Sequence, residues 1–391
     1  MKNVFTLLFL TTLIIKVVGF NVIGYLPSYR FYAINSIDYS KLTHVMVSFV
    51  NPDISGVFSF SEDISEVVEA VKPYDCKVFI SIGGGGLSES IENIYETKTE
   101  VGNRSEFIHN LLDFARENKV DGIDVDLEGS LVQIPTYNGF IQELIDSAHA
   151  SNFAVSAALA KWTGGSVDNS TVEMLDFLNL MSYDLSGPWT SEGQHSPLSQ
   201  SQGDFNFWQE KGASSENLMI GLPFYGYEFK ENETVAWTWC EIVSDYPDSL
   251  SQDKINTGKG NLYFNGKATI EDKLQFAKAN KAGGVMIWEL GQDCFDQNSL
   301  LELIDEKVQK LIGFEEVQSL TQVFPNPTND FLTIEGSSYF GFKIFDSFGK
   351  QVSEGVGSSS AIIDLTSVNS GLYIISIESE FYTSTFRLVK N

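Results

Sequence analysis

The stretch Asp121-Gly122-Ile123-Asp124-Val125-Asp126-Leu127-Glu128 alternates acidic with apolar side chains. In an extended strand successive side chains point to opposite faces. Asp124, Asp126 and Glu128 therefore share one face, and Ile123, Val125 and Leu127 the other. A solvated edge strand with an acidic outer face is the plain structural reading, but the Ile-Val-Leu face argues for a strand buried on both sides. Carboxylates crowded there repel one another and lose hydration, so at least one binds its proton more tightly than usual. A carboxyl that stays protonated near neutral pH is what a general acid requires.

The same strand has a place in a repeating pattern. Apolar runs fall at Val22–Tyr25, His44–Phe49, Lys77–Ile82, Gly122–Leu127, Ala154–Leu159, Phe177–Ser182, Met219–Pro223 and Gly284–Trp288. Amphipathic stretches such as Ser105–Asn118, Tyr137–Ser151 and Ile270–Lys281 lie between them. Eight such alternations predict an α/β fold, a (β/α)8 TIM barrel, whose active site forms at the C-terminal strand ends. A doubly wound open sheet is the alternative. The run ends carry Gly83-Gly84, Asp126 and Glu128, Tyr183-Asp184 and Trp288-Glu289, residue types that barrel packing alone does not call for.

Composition narrows the function. The chain has 391 residues, is 43% hydrophobic and carries a formal net charge of −27. Nucleic acid and anionic lipid are disfavoured, because phosphates demand Lys and Arg. A neutral polysaccharide is permitted, although solubility alone accounts for the acidity. Residues 1–19 read as a signal peptide: Lys2, an apolar run from Val4 to Ile15, and a small-residue exit at Gly19. No segment is long and apolar enough for a membrane span. The three cysteines permit a disulfide in an exported protein, with Cys240 and Cys294 the pair to test and Cys76 left as a small buried residue. The four histidines form no ligand pair, His44 reads as a core residue, and neither a metal nor a cofactor is expected.

The barrel is expected over 20–313 and a polar linker over 314–322. Residues 323–391 read as a small all-β sandwich. Short runs at Phe331–Glu335, Gly341–Phe345, Gln351–Glu354, Ala361–Leu365, Leu372–Ile377 and Thr383–Val389 are separated by turn signals. This segment contains no cysteine, histidine or polar cluster that suggests chemistry.

The segment DGIDVDLEG resembles the Asp-x-x-Asp-x-Asp-x-Glu signature of the family 18 glycoside hydrolases, the chitinases and their relatives. Ser81-Ile82-Gly83-Gly84 is similar to that family's motif closing strand three, Met181-Ser182-Tyr183-Asp184 to its strand-six motif, and Trp288 to the tryptophan beneath the sugar on strand eight. The resemblance implies substrate-assisted catalysis, in which the sugar's own 2-acetamido group is the nucleophile. It makes Glu128 the general acid, Asp126 the group that orients the acetamido N–H, and Tyr183 the donor to the acetamido oxygen. Asp124 is implied to support Asp126 by sharing a proton with it. Tyr25, Phe49, Gly84, Met181, Asp184, Trp189, Tyr225 and Trp288 are the substrate-binding residues it implies.

About 60 residues separate Pro223 from Gly284. That length is too short for the α+β insertion many family members carry there, so a shallow, open cleft and endo action are expected. Trp162, Tyr227, Trp237 and Trp239 also follow strands five to seven and fall on or near the active face. Residues 323–391 resemble the sorting domain of the type IX secretion system of Bacteroidota, through Pro325-Asn326-Pro327, Gly371-Leu372-Tyr373-Ile374 and Arg387-Leu388-Val389-Lys390. The leading reading is an exported, monomeric endo-chitinase whose partners are chitin or N-acetylglucosamine oligosaccharides and the secretion machinery. An endo-β-N-acetylglucosaminidase acting on N-glycans and a non-catalytic chitin lectin are the alternatives. The presence of Glu128 counts against the lectin.

Overall fold

The computed structural model describes residues 19–312, 322–347, 349–379 and 383–391. The leader expected over 1–19 and the linker expected over 314–322 fall almost wholly outside them. The chain divides into two compact units between Val308 and Gln309.

In the first unit eight parallel strands close on themselves. They are β1 (Asn21–Pro27), β2 (His44–Pro52), β3 (Lys77–Gly83), β4 (Gly122–Asp126), β5 (Ala154–Leu159), β6 (Phe177–Leu180), β7 (Leu218–Pro223) and, after an insertion, Gly284–Trp288. Each pairs with its neighbour in chain order, and pairing of the first with both the second and the last closes the barrel. Each expected run is thus a strand. The alternation of the carboxylate strand is real: Ile123, Val125 and Leu127 are buried on the outward side, beneath the helices. The helix Arg104–Glu117 buries Phe107, Ile108, Leu111, Leu112 and Ala115, a stripe at helical spacing. Phe107 meets Phe140 of the helix Tyr137–Ala150 with ring centroids 5.9 Å apart. Inside the barrel Ile23, Tyr25, Met46, Phe79, Ala158, Phe177, Met219 and Met286 fill the core. His44 is buried near the N-terminal strand ends between Phe79 and Phe177, and its pKa is pushed down to about 4 by that burial.

The residues between β7 and the last barrel strand correct one expectation. They hold a four-stranded antiparallel sheet, β8 (Tyr225–Lys230), β9 (Thr234–Thr238), β10 (Lys254–Asn256) and β11 (Gly260–Phe264), in the order β9-β8-β11-β10. A helix, Trp239–Asp245, crosses between β9 and β10, and Lys267–Ala279 returns the chain to the barrel strand β12 (Gly284–Trp288). An insertion is therefore present in compact form. Strands of three to six residues, paired through tight turns as β8–β9 and β10–β11 and linked by one short helix, need far less chain than the length estimate allowed. A disulfide joins Cys240 in this insertion to Cys294 after β12, with Cα atoms 4.7 Å apart. Closing a loop of 54 residues removes unfolded-chain entropy on the order of 2–4 kcal/mol.

In the second unit the strands are β13 (Gln322–Phe324), β14 (Phe331–Asp346), β15 (Gln351–Asp364), β16 (Gly371–Ser379) and β17 (Thr383–Lys390), all in one antiparallel sheet. The runs read separately as Phe331–Glu335 and Gly341–Phe345 are one strand, as are Gln351–Glu354 and Ala361–Leu365. A register shift between Glu335 and Tyr339 divides β14. Its first half pairs with β13 and its second with β16, while β15 spans both. Leu332 and Ile334 from one half and Phe340, Phe342 and Ile344 from the other share a single core. The two sheets expected of a sandwich are thus two halves of one. Asn326 donates to the Arg387 carbonyl (2.6 Å) and accepts from the Val389 N–H (3.0 Å), so the Pro-Asn-Pro opening holds the last strand. Among the described residues no helix is long and apolar enough to cross a membrane.

Candidate active site

Register builds the base of the site. Ser81 on β3 and Ser156 on β5 lie directly beside Asp124 on β4. Small hydroxyl residues at its height on the two flanking strands put two donors on the carboxylate: Ser81 Oγ at 2.7 Å and Ser156 Oγ at 2.6 Å. Tyr25 Oη donates from β1 at 2.7 Å and Asn179 Nδ2 from β6 at 3.2 Å. Asp124 is fully buried, and burial pushes its pKa up while these four donors pull it back. Hydrogen bonds to a charged group are worth about 1.5–3 kcal/mol each, enough together to hold a buried carboxylate. Both Asp124 oxygens are engaged in this way, and among the described residues no hydrogen bond joins Asp124 to Asp126. Ser156 and Asn179 escaped the sequence reading, and Ser81 was read only as part of a motif, because nothing in the chain marks which serine will stand level with which aspartate.

Asp126, one step nearer the barrel mouth, differs in its partners. It is buried and its Oδ1 has no partner. Burial, then the charges of Glu128 and Asp124, raise its pKa well above the ordinary carboxylate range. Glu128 stands just past the end of β4, half-buried, with its pKa pushed up to about 7 by burial and by the charge of Asp184. The glycines after β3 make room for this column. Gly83 and Gly84 have φ of +97° and +96°, and a Cβ on Gly83 would lie 2.5 Å from the Asp126 carbonyl oxygen. A Cβ on Gly84 would strike the Phe49 ring at 2.4 Å, and its N–H donates to that same Asp126 carbonyl at 2.7 Å. Gly84 thus leaves room for the Phe49 ring and ties the loop after β3 to the end of β4.

Tyr183 and Asp184 come from the end of β6. Among the described residues the Tyr183 hydroxyl donates to the Met286 sulfur alone, a weak acceptor at 3.7 Å, leaving it able to donate to a ligand. Asp184 sits at φ +63° and its Oδ1 accepts from the hydroxyls of Tyr225 (2.5 Å) and Tyr227 (3.2 Å) on β8. The compact insertion therefore reaches the site, and Tyr225, Tyr227 and Phe229 pack with Tyr183 and Trp288. Trp288 stacks on Phe49 at 5.7 Å and meets Tyr25 at 5.4 Å. The Arg30–Glu289 ion pair (2.8 Å) ties the segment Ser28–Ser36 beside it.

A cleft of about 1020 Å³ opens beside Glu128. Met181, Tyr183, Asp184 and Trp189 line it together with Lys161, Trp162, Leu185, Gln200, Asp204 and Phe207. Its volume lies at the top of the ~300–1,000 Å³ range of small-molecule sites. Trp162 and Trp189 are 71% and 59% exposed on its rim, where a flat apolar face suits a sugar ring. Beside the cleft, Tyr25 donates to Asp124, Tyr225 donates to Asp184, and Trp288 lies between Phe49 and Tyr25. Trp239 is buried and donates to the Asn298 carbonyl (2.9 Å), and Trp237 donates to Glu228 (3.0 Å); neither lines the cleft. Their position just after strand seven suggested otherwise because the insertion's path was not legible.

A column of carboxylates at the C-terminal mouth of a (β/α)8 barrel, walled by tyrosine and tryptophan, defines a glycoside hydrolase. The chain belongs to the family described as glycosyl hydrolases family 18, whose profile matches residues 21–293. Residues 322–391 match the secretion system C-terminal sorting domain. Among solved structures the chain is similar to the GH18 chitinase ChiB from the chitin utilization locus of Flavobacterium johnsoniae, at 35% identity. That match covers 76% of this chain and 97% of the other, with a TM-score of 0.71. It is also similar to a chitinase from Bacteroides thetaiotaomicron, at 26% identity over 75% and 97% of the two chains, with a TM-score of 0.66. The Homo sapiens Chitinase-3-like protein 2 is 26% identical over 325 residues, which cover 68% of this chain and 83% of that protein.

Proposed function

We propose that the protein is an endo-acting chitinase that cleaves β-1,4 bonds between N-acetylglucosamine units with retention, using the substrate's acetamido group as nucleophile. The observation that carries this reading is Asp126: a buried carboxyl with an unpartnered oxygen, close to a protonatable Glu128 and to a Tyr183 hydroxyl held only by a weak sulfur acceptor. Glu128 gives its proton to the glycosidic oxygen as the C1–O bond breaks. The acetamido carbonyl oxygen bonds to C1 and forms an oxazolinium ion. Asp126 accepts from the acetamido N–H and balances its positive charge, while Tyr183 donates to the acetamido oxygen. Water then adds to C1, with Glu128 taking its proton. The exposed tryptophans on the cleft rim support attack within accessible chains. Chitin oligomers and a high-mannose glycopeptide, digested in parallel, test the substrate. Internal cleavage of the oligomers is expected, and glycan release without oligomer cleavage would overturn the assignment.

The pH profile follows from Glu128. The acid form of Glu128 is the active one, so kcat should fall as pH rises through about 7. A profile whose alkaline limb lies near pH 4.5, the value of an unperturbed glutamate, would contradict this placement.

A leader over residues 1–19 and the C-terminal sorting unit together account for export to the cell surface or beyond. A chain ending at Ile312 should fold and keep its turnover on soluble oligomers, because every residue of the site lies in the first unit. In the native host the same truncation should stop export. Unchanged secretion of the shortened chain would remove the sorting role.

A further inference from the structure

His195 lies behind Asp184, outside the cleft. Its side chain is fully buried, and neither ring nitrogen makes a hydrogen bond of good geometry, the nearest polar groups being Asp184 and the Tyr225 backbone. Buried polar groups are almost always paired, so such a ring calls for an explanation. Its centroid is 5.0 Å from that of Tyr225 and 5.3 Å from that of Tyr227, the two tyrosines that donate to Asp184 Oδ1. Nδ1 is 3.8 Å from the same oxygen, just beyond hydrogen-bond reach. The ring has little freedom to retreat. The Leu185 N–H donates to the His195 carbonyl (2.9 Å), and Ser196 Oγ donates to the Ser182 carbonyl (2.6 Å). The Asp184 side chain is 39% exposed and does have somewhere to go.

We propose that His195 is a positioning residue for hydrolysis: its Nδ1–H is the third donor to Asp184 Oδ1 and, with the Tyr225 and Tyr227 hydroxyls, keeps that carboxylate turned towards Glu128. The groups facing the ring are Asp184 from its own loop, Tyr225 and Tyr227 from β8, and Lys273 from the helix Lys267–Ala279. Lys273 Nζ donates to Ser196 Oγ at 2.6 Å, and Asp204 of the helix Leu198–Glu210 lies within its field. Burial lowers the pKa of His195, against the pull of Asp184, so the ring is neutral and has one N–H to place.

This inference rests on Glu128 being the acid. The Asp184 charge helps Glu128 keep its proton. If His195 is lost, the carboxylate can swing towards solvent, and Glu128 then releases its proton at lower pH. The alkaline limb of kcat in His195→Phe should fall by about half a pH unit. His195→Asn, which retains an N–H donor, should fall less. In an Asp184→Asn background His195→Phe should add no further shift. An unmoved limb in a His195→Phe protein with a wild-type melting temperature would overturn the proposal, as would an undiminished shift in the Asp184→Asn background. Nitrogen-15 shifts of the wild-type ring test it without any substitution: protonation at Nδ1 is expected, and a neutral ring protonated at Nε2 would contradict it. Should Glu128→Gln prove active, the acid assignment itself has failed. Should Glu128→Gln be inactive and the limb unmoved, only the role of His195 has.

Discussion

Glu128→Gln should bind chitin oligomers as the parent does and turn them over at a rate lower by at least about 10²–10⁴-fold. The amide has nearly the shape of the acid but no proton to deliver to the leaving oxygen. Stability should not suffer. Glu128 is half-buried beside Asp126 and Asp184, all acidic, and removing one negative charge relieves repulsion. The variant should therefore melt no lower than the parent, which separates a chemical loss from an unfolded one. Oligomer hydrolysis at near-parental rates would sink the assignment of Glu128.

Fully deacetylated chitosan oligomers should enter the cleft and remain uncut, with turnover at least about 10³-fold below that of the acetylated oligomers. An acetamido oxygen held beside C1 acts as an intramolecular nucleophile, and such groups are worth effective molarities far above any attainable in solution. Without it, a second protein carboxylate would have to attack. In this reading Asp126 is committed to the acetamido N–H and not to C1, and its unpartnered buried oxygen is the acceptor that bond requires. A thiazoline analogue of N-acetylglucosamine, which imitates the cyclised intermediate, should inhibit competitively. Efficient cleavage of the deacetylated chain would show that the protein supplies its own nucleophile.

Much of this was legible in the chain because two periodicities carry it. A period of two on the carboxylate strand separates Asp124, Asp126 and Glu128 from Ile123, Val125 and Leu127, and the buried outward face follows that division. The recurrence of apolar runs and amphipathic stretches predicts the barrel, and in a barrel the strand ends locate the site. The insertion was not legible. Its strands are three to six residues long and alternate too briefly to be told from loop. Trp237 and Trp239 were misplaced for the same reason, since their surroundings depend on turns that no local pattern announces. In the second unit, residues at a register shift looked like a turn between strands, and the continuity of β14 was lost.

The sequence by itself determined which residues can do chemistry here, because acids on one strand face and aromatics after strand ends are local facts. Tertiary structure alone decided how those residues differ from one another. Asp124 and Asp126 are the same residue type two positions apart. One receives four donors from β1, β3, β5 and β6, and the other is left with an unpartnered oxygen. Which strands stand beside β4, and at what register, is settled only when the barrel closes. The same closure brings Tyr225 and Tyr227 of the insertion onto Asp184 and sets His195 behind it. Proton affinity depends on burial and on neighbours within a few ångströms, and most of those neighbours come from distant parts of the chain.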